Sequence, residues 1–471
     1  MNDIPNQREL TFQTASELAK LIKERSVSSE EIVRAHIARI KEVNPKLNAV
    51  VVLTEKSALK LARKADSLTS KTQPLPPLHG VPITIKDAFE VSGVVSTGGT
   101  LGRKDYVPNT DATVVSRLKK AGAIILGKTN LPEISMGFES SNLVYGRTNN
   151  PFDVDRTPGG SSGGEASIIA AGGSPFGIGS DAGGSIRWPA HCCGIVGLKP
   201  TTGRTPRTGH WPAFSGIFSQ VTQIGPMARS VKDIALTLPL ICGPDGIDPT
   251  VMPIPLPTPA KVEIQGLKIT FHTDNGLATP IPEIQLAVKN AANILKRNVK
   301  SVEENVPEAL KMSASLHSQI MGADAGETAK AILKNAGSST MDPNLDSRIK
   351  MMAAKPAYLP DFLNTLVELE EYRSQLLQFM ETTNTDIIIG PAAPVPAPLH
   401  GHGYDGFPEN GSYSHAYNLA GWPALVMRGG TSKEGLPLGI QIISRPWCED
   451  RILAVALLLE KNLEPFQKPK I

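Results

Sequence analysis

Between residues 80 and 200 the chain alternates short β-branched runs with helix-forming segments, and this alternation restricts it to a layered α/β fold. "VPITIKD" reads as a strand ending at Lys86, and "DATVVSRLKKAG" as a helix opening at an Asp111 cap. "AIILG" follows as a buried strand, "GGEASIIAAGG" as a short glycine-bounded helix, and "SPFGIGS" as the next strand. Side chains repeat every two residues in the first kind of segment and every 3.6 in the second, so sheet and helix must pack as neighbours.

The flanking regions extend the pattern. The first seventy residues read as helices, with a Ser28–Glu31 capping box and with Val33, Ile37 and Ile40 on one face. "TEKSALKLARKAD" is a second helix, and "TQPLPPLHG" a proline-rich hinge into the first strand. Beyond residue 200, "PDGIDPTVMPIPLPTPAK" is a surface connection, followed by helical segments at Glu283–Lys296, Glu327–Lys334 and Tyr358–Thr382. "TDIIIGPAAPVPAP" is a strand opening into a proline-rich loop, and "GLPLGIQIIS" is a late strand before a final helix. That late strand is needed by the same sheet as the early ones, and no internal repeat occurs. The expectation is one large domain over residues 1–471, a mixed twisted β-sheet covered by helices on both faces.

Composition removes several functional classes. A 471-residue chain that is 40% hydrophobic can bury a sizeable core. Its net charge of +3, from 48 basic against 45 acidic residues, gives no electrostatic case for nucleic acid or an anionic membrane. "MNDIPNQREL" is too polar for a secretory signal, and no stretch reaches the roughly 18 apolar residues of a membrane span. The longest, "ILAVALLLE" near Ile452, reads as a buried helix; Asn2 and the terminal "KPKI" carry no lipidation signal. The four cysteines lack zinc spacing, and Cys192–Cys193 read as small buried residues rather than a redox pair. A reduced, cytoplasmic protein with no metal and no cofactor is expected. Its oligomeric state is open, a homodimer included.

Two familiar motifs mislead. "GAIILGKT", Gly122 to Thr129, has Walker A spacing, but its intervening residues are the strand itself rather than a loop that wraps phosphate. "GGSSG", Gly159 to Gly163, has the spacing of an α/β-hydrolase nucleophile elbow, yet "NNPFDVDRTP" before it is loop chemistry. His400, His402 and His415 lie downstream, so an esterase using Ser161 stays open. In a proline- and glycine-rich loop they read as surface or pocket wall, with no metal-ligand grouping.

Ser185 in "SDAGGSIRWP" stands behind two glycines, a nucleophile beside backbone N–H groups, but a serine needs a base. Lys86 ends an apolar strand beside Asp87, and neutral lysine accepts a proton where burial lowers its pKa. Moving it from ~10.4 to near 7 takes about 4–5 kcal/mol of differential solvation.

Lys86 in "GVPITIKD", Ser161 in "GGSSGG" and Ser185 in "DAGGSIRWPA" together resemble the Ser–cis-Ser–Lys triad of the amidase signature family. Ser185 follows Ser161 by 24 residues, the family's separation, and "GAIILGKTNLPEISMG", "YGRTNNPFD" and "CGIVGLKPTTGR" stand in family order. The likeness is dense over residues 78–204 and returns in "NLAGWPALVM" and "GLPLGIQIISRPWCED". It implies an amide hydrolase with Ser185 as nucleophile, Lys86 as base, and Ser161, after a cis peptide bond, as proton relay. It further implies an oxyanion hole from the N–H groups of Ala182, Gly183, Gly184 and Ser185. Ser162 would hold Lys86, Asp181 would accept from the loop amides, and Arg187 would anchor the following helix. The family more often has Thr at 180 and Thr or Ile at 182, where this chain has Ser180 and Ala182.

Glu165 and "GGSPFGIGSD" resemble the fatty acid amide hydrolase-like branch. The glutamine-hydrolysing component of tRNA amidotransferases more often has Ser after "GGSSGG" and Gln in place of Trp188. The resemblance therefore implies a stand-alone amidase using water on a small or medium carboxamide or an aryl or alkyl acylamide, with esters as side substrates. The amidotransferase glutaminase, or an inactive scaffold, is the alternative. The acyl pocket would come from Glu133–Phe138 and the C-terminal half.

Overall fold

Eleven strands among the described residues join in one mixed sheet. In chain order they are β1 (Val50–Leu53), β2 (Pro82–Lys86), β3 (Ile124–Thr129), β4 (Phe176–Asp181), β5 (Val196–Lys199) and β6 (Gln223–Ala228), then β7 (Lys268–Phe271), β8 (Ser301–Glu304), β9 (Ile387–Pro391), β10 (Ala424–Thr431) and β11 (Pro437–Ser444). This computed structural model describes residues 7–69, 74–353 and 357–471. The first six residues of the polar N-terminal stretch and the start of the proline-rich hinge lie outside them.

The spatial order is β1-β3-β2-β4-β6-β5-β10-β11-β9-β7-β8. β2 lies parallel to both β3 and β4, while β6, β5, β10 and β11 continue as antiparallel neighbours. β11, the late strand, sits between β10 and β9, so the chain's two halves share one sheet. Leu425 and Met427 belong to one apolar cluster and Val426 to another, which places the two clusters on opposite faces. Helices Val231–Ile241, Pro282–Leu295 and Glu449–Asn462 pack into the first, and Gly163–Ala170 and Arg187–Cys193 into the second. Covering on both faces explains why β2, "PITIK", is buried along its whole length.

The expected helices appear at Ser29–Leu47, Glu55–Thr69, Thr113–Lys120, Pro282–Leu295, Glu327–Asn335, Leu359–Thr382 and Glu449–Asn462. The Ser28 capping box forms, Val33, Ile37 and Ile40 are buried, and so is most of the run around Ile452. Two expectations need correction, and several strands were not foreseen. The first seventy residues are not all helical: "VVVL" forms β1, an edge strand antiparallel to β3, because a β-branched run beside an open strand gains more from pairing than from coiling. Asp111 does not cap its helix, which starts at Thr113; its carboxylate accepts from the Ser92 N–H and from Lys119 instead. Four strands of the later sheet, β5, β6, β7 and β10, together with the half-exposed β8, were not legible as strands at all.

Candidate active site

Lys86 is the last residue of β2, and its side chain has no exposed surface. Its Nζ is hydrogen-bonded to Ser161 Oγ at 2.6 Å and to Ser180 Oγ at 3.0 Å. Ser180 belongs to β4, the parallel neighbour of β2, where Thr84 faces Gly177 and Ile85 faces Ile178. The register carries the two strand ends, and hence lysine and serine, to one point.

Ser161 stands in the loop before the Gly163–Ala170 helix, and the Gly160–Ser161 peptide bond is cis. The Ser162 N–H donates to the Ser185 carbonyl oxygen at 3.1 Å, so this loop is tied to the one carrying Ser185. Ser162 does not hold Lys86, contrary to expectation. Its hydroxyl faces the Ser180 carbonyl oxygen at 3.5 Å, because it opens a helix aimed at the β4 backbone, and Ser180 is the lysine's second partner.

Ser185 lies between β4 and the Arg187–Cys193 helix. Asp181 organises that loop: its carboxylate accepts from the N–H groups of Gly184 (2.7 Å) and Ile186 (3.2 Å) and from Arg187 Nε and Nη2, each at 3.0 Å. Arg187 also donates to Gln441 on β11 and to Asn418, so the late part of the chain clamps the loop. Burial pushes the Asp181 carboxyl up, but Arg187 and Asn418 outweigh it and hold the group below the usual carboxylate range. The expected oxyanion donors need one change. Gly184 N–H is committed to Asp181, which leaves Ala182, Gly183 and Ser185, none of which donates to a protein acceptor among the described residues. Gly184 must be glycine, because its φ is 112° and a Cβ would lie 2.7 Å from the Ser414 side chain.

Burial brings the Lys86 amine down to about 7, with Asp181 and Glu165 opposing. Glu165 is buried below the site, hydrogen-bonded by Thr84 and, at 2.7 Å, by Thr129. Burial raises its carboxyl to about 7 against those donors and Lys86. The site thus holds an amine whose two protonation states are close in energy at neutral pH, in contact with a hydroxyl.

Ser161, Ser185, Met136, Phe138, Phe214 and Arg348 line one small cavity of about 40 Å³. A larger cavity of about 290 Å³ adjoins it, sharing Phe138 and Gly183 and walled by Trp188, Phe407, Pro394 and Pro396. Ser135 to Phe138 therefore reach the site as the sequence implied. Of the other expectations, Lys128 of the Walker-like stretch is buried within β3 and donates to Asp87 and Ser96, each at 2.8 Å, so it faces no phosphate. No strand leads directly into Ser161, the nearest before it being the short Gly146–Arg147, which removes the nucleophile elbow. His415 is buried and stacks on His317 with ring centroids 3.6 Å apart, beside Gly183, while His402 lies exposed with Asp405. No group of three or more metal-ligating side chains forms among the described residues. Cys192 and Cys193 are buried thiols whose pKa burial raises well above its ordinary value, which leaves them inert. The sequence did not reveal Ser180 or His210 as site residues. His210 Nε2 lies 2.9 Å from Ser180 Oγ, but it arrives from a loop 30 residues further on with no motif around it.

The sequence model of the Amidase family matches residues 31–453. The chain is 35% identical to the A component of the glutamyl-tRNA(Gln) amidotransferase of Moorella thermoacetica, over 97% of this chain and 98% of that one. It is also 35% identical to fatty-acid amide hydrolase 2-A of Danio rerio, over 99% and 91% respectively. Among solved structures, 6-aminohexanoate cyclic dimer hydrolase superposes with a TM-score of 0.85 at 28% identity, covering 98% of this chain and 99% of its own. A large mixed sheet flanked by helices is common to both, and the chain belongs to the amidase signature family, enzymes that hydrolyse the carbon–nitrogen bond of amides.

Proposed function

We propose that Ser185 attacks the amide carbonyl while Lys86, acting through Ser161, removes its proton. The observation that carries this reading is the 2.6 Å contact between the buried Lys86 amine and Ser161 Oγ, in a cavity that Ser185 also lines. Neutral Lys86 takes the Ser161 proton as Ser161 takes that of Ser185, and the new oxyanion meets the N–H groups of Ala182, Gly183 and Ser185. The same relay then protonates the leaving amine, giving an acyl-enzyme on Ser185, and activates water to release the acid.

The adjoining cavity favours an aryl or alkyl acylamide, because aromatic rings and prolines form its walls. A second reading, hydrolysis of glutamine as the glutaminase component of an amidotransferase, has one observation behind it. Arg348 lines the catalytic cavity with no carboxylate partner among the described residues, and a guanidinium suits a substrate bearing a carboxylate. A reducing, cytoplasmic setting fits the four free cysteines, and no helix of the described residues is long and apolar enough to cross a membrane. Incubation with an alkyl fluorophosphonate followed by mass mapping tests the assignment: the adduct belongs on Ser185, and one on Ser161 would overturn it. Hydrolysis of acylanilides by the chain alone supports the first substrate reading, and glutaminase activity that requires an added partner protein supports the second.

A further inference from the structure

We infer that His210 is a positioning residue, which through Ser180 keeps the lone pair of Lys86 free for Ser161. This rests on Lys86 being the base. The hydrogen-bond directions follow from what each atom can do. His210 Nδ1 lies 2.9 Å from the Pro212 carbonyl oxygen, which can only accept, so Nδ1 carries the proton. The ring is buried, with Phe89 edge-on at 5.0 Å and Phe214 at 4.8 Å between centroids. Burial, then the charges of Lys86 and Arg207, bring its pKa down to about 3, so it is neutral and Nε2 has no proton. Nε2 must therefore accept from the Ser180 hydroxyl 2.9 Å away.

That hydroxyl has one proton, and His210 takes it. Ser180 Oγ can then only accept from Lys86 Nζ at 3.0 Å. One N–H of the neutral amine is used there, and Ser180 cannot donate into the nitrogen's lone pair. Ser161 Oγ, at 2.6 Å, is left as the hydroxyl that can. Without His210, Ser180 would compete with Ser161 for the same lone pair. Donation to His210 also polarises Ser180 Oγ and makes it a better acceptor for the ammonium form. The remaining charged groups that face Lys86 are Asp181 and Glu165, both favouring its protonated form.

The test compares His210→Phe, which keeps the packing and removes the acceptor, with His210→Gln, which restores an acceptor oxygen. The readout is the rate of Ser185 phosphonylation by an alkyl fluorophosphonate across pH 5 to 10. His210→Phe should slow the plateau about tenfold or more and move its acid limb to lower pH, because Ser180 would then stabilise the neutral amine. His210→Gln should stay within about threefold of the wild type, with an unmoved limb. Equal losses in both variants, or an unmoved limb in His210→Phe, would overturn the inference. The histidine tautomer in the wild-type chain decides it without catalysis: long-range ¹H–¹⁵N correlations should show the proton on Nδ1, and a proton on Nε2 would overturn it. A wild type that never reacts with the fluorophosphonate would overturn the proposed function, while the tautomer would still answer this question.

Discussion

Lys86 Nζ and Ser161 Oγ lie 2.6 Å apart, with the lysine sealed from solvent at the end of a strand whose every residue is buried. A charged ammonium there has lost its hydration, and Asp181 and Glu165 compensate only in part. The amine is kept near neutrality by the fold, and the fold is the less stable for it.

Replacing Lys86 should therefore stabilise the protein while ending catalysis. Its pKa is about 7 in the fold and about 10.4 in the unfolded chain. Below pH 7 the group is charged in both states and the burial penalty is complete; it fades as pH rises from 7 through the unfolded value. At neutral pH the penalty amounts to roughly 4 kcal/mol at most. Lys86→Met should raise the apparent melting temperature at pH 7, by an amount that shrinks toward pH 10, and abolish amide hydrolysis. A lower melting temperature at pH 7 would contradict this.

The opposite outcome is expected at Arg187. Both Arg187 and Asp181 are fully buried, and the arginine also holds Gln441 and Asn418. Arg187→Ala leaves the carboxylate buried without its cation, a loss of about 3–5 kcal/mol. Thermal melting should show a fall of several degrees together with lost activity, and an unchanged melting curve would contradict the clamp.

At Gly184 the backbone itself is tested. Alanine there would meet Ser414 at 2.7 Å in a left-handed conformation, costing about 1–3 kcal/mol. In the proposed mechanism the same turn aims the oxyanion donors, so Gly184→Ala should lower kcat by about tenfold or more with a smaller change in KM. Wild-type kcat in this variant would show that the loop tolerates a Cβ.

The Walker-like stretch should bind nothing. Lys128 is paired with Asp87 inside the sheet, so millimolar ATP with magnesium should leave the melting temperature unchanged. A rise of several degrees would mean that the pairing is not as described.

Much of this site was readable because its residues sit in motifs that resemble those of the amidase signature family. Lys86 marks a strand end, whereas Ser161 and Ser185 stand in loops and their joint role was legible through the resemblance of their motifs to the amidase signature; the alternating pattern around them pointed to the layered fold. What escaped reading depends on contacts far apart in sequence. Ser180 is one residue from Asp181 on β4, yet its partner is set by the register with β2. His210 reaches Ser180 from an irregular loop, and Ser162 turns its hydroxyl to the Ser180 carbonyl oxygen rather than to Lys86, a choice that no sequence pattern encodes. Strands such as β5 and β6 were missed because glycine and proline interrupt their apolar runs, and tertiary pairing decides their conformation.

The pH dependence of Ser185 acylation tests the central claim most directly. Following covalent labelling by a fluorophosphonate in the wild type and in Lys86→Met should give a rate that rises through a single limb near pH 7 and levels off above it, with labelling of the variant slower by about a thousandfold. A limb near pH 10, or a Lys86→Met protein that labels at the wild-type rate, would show that this amine is not the base.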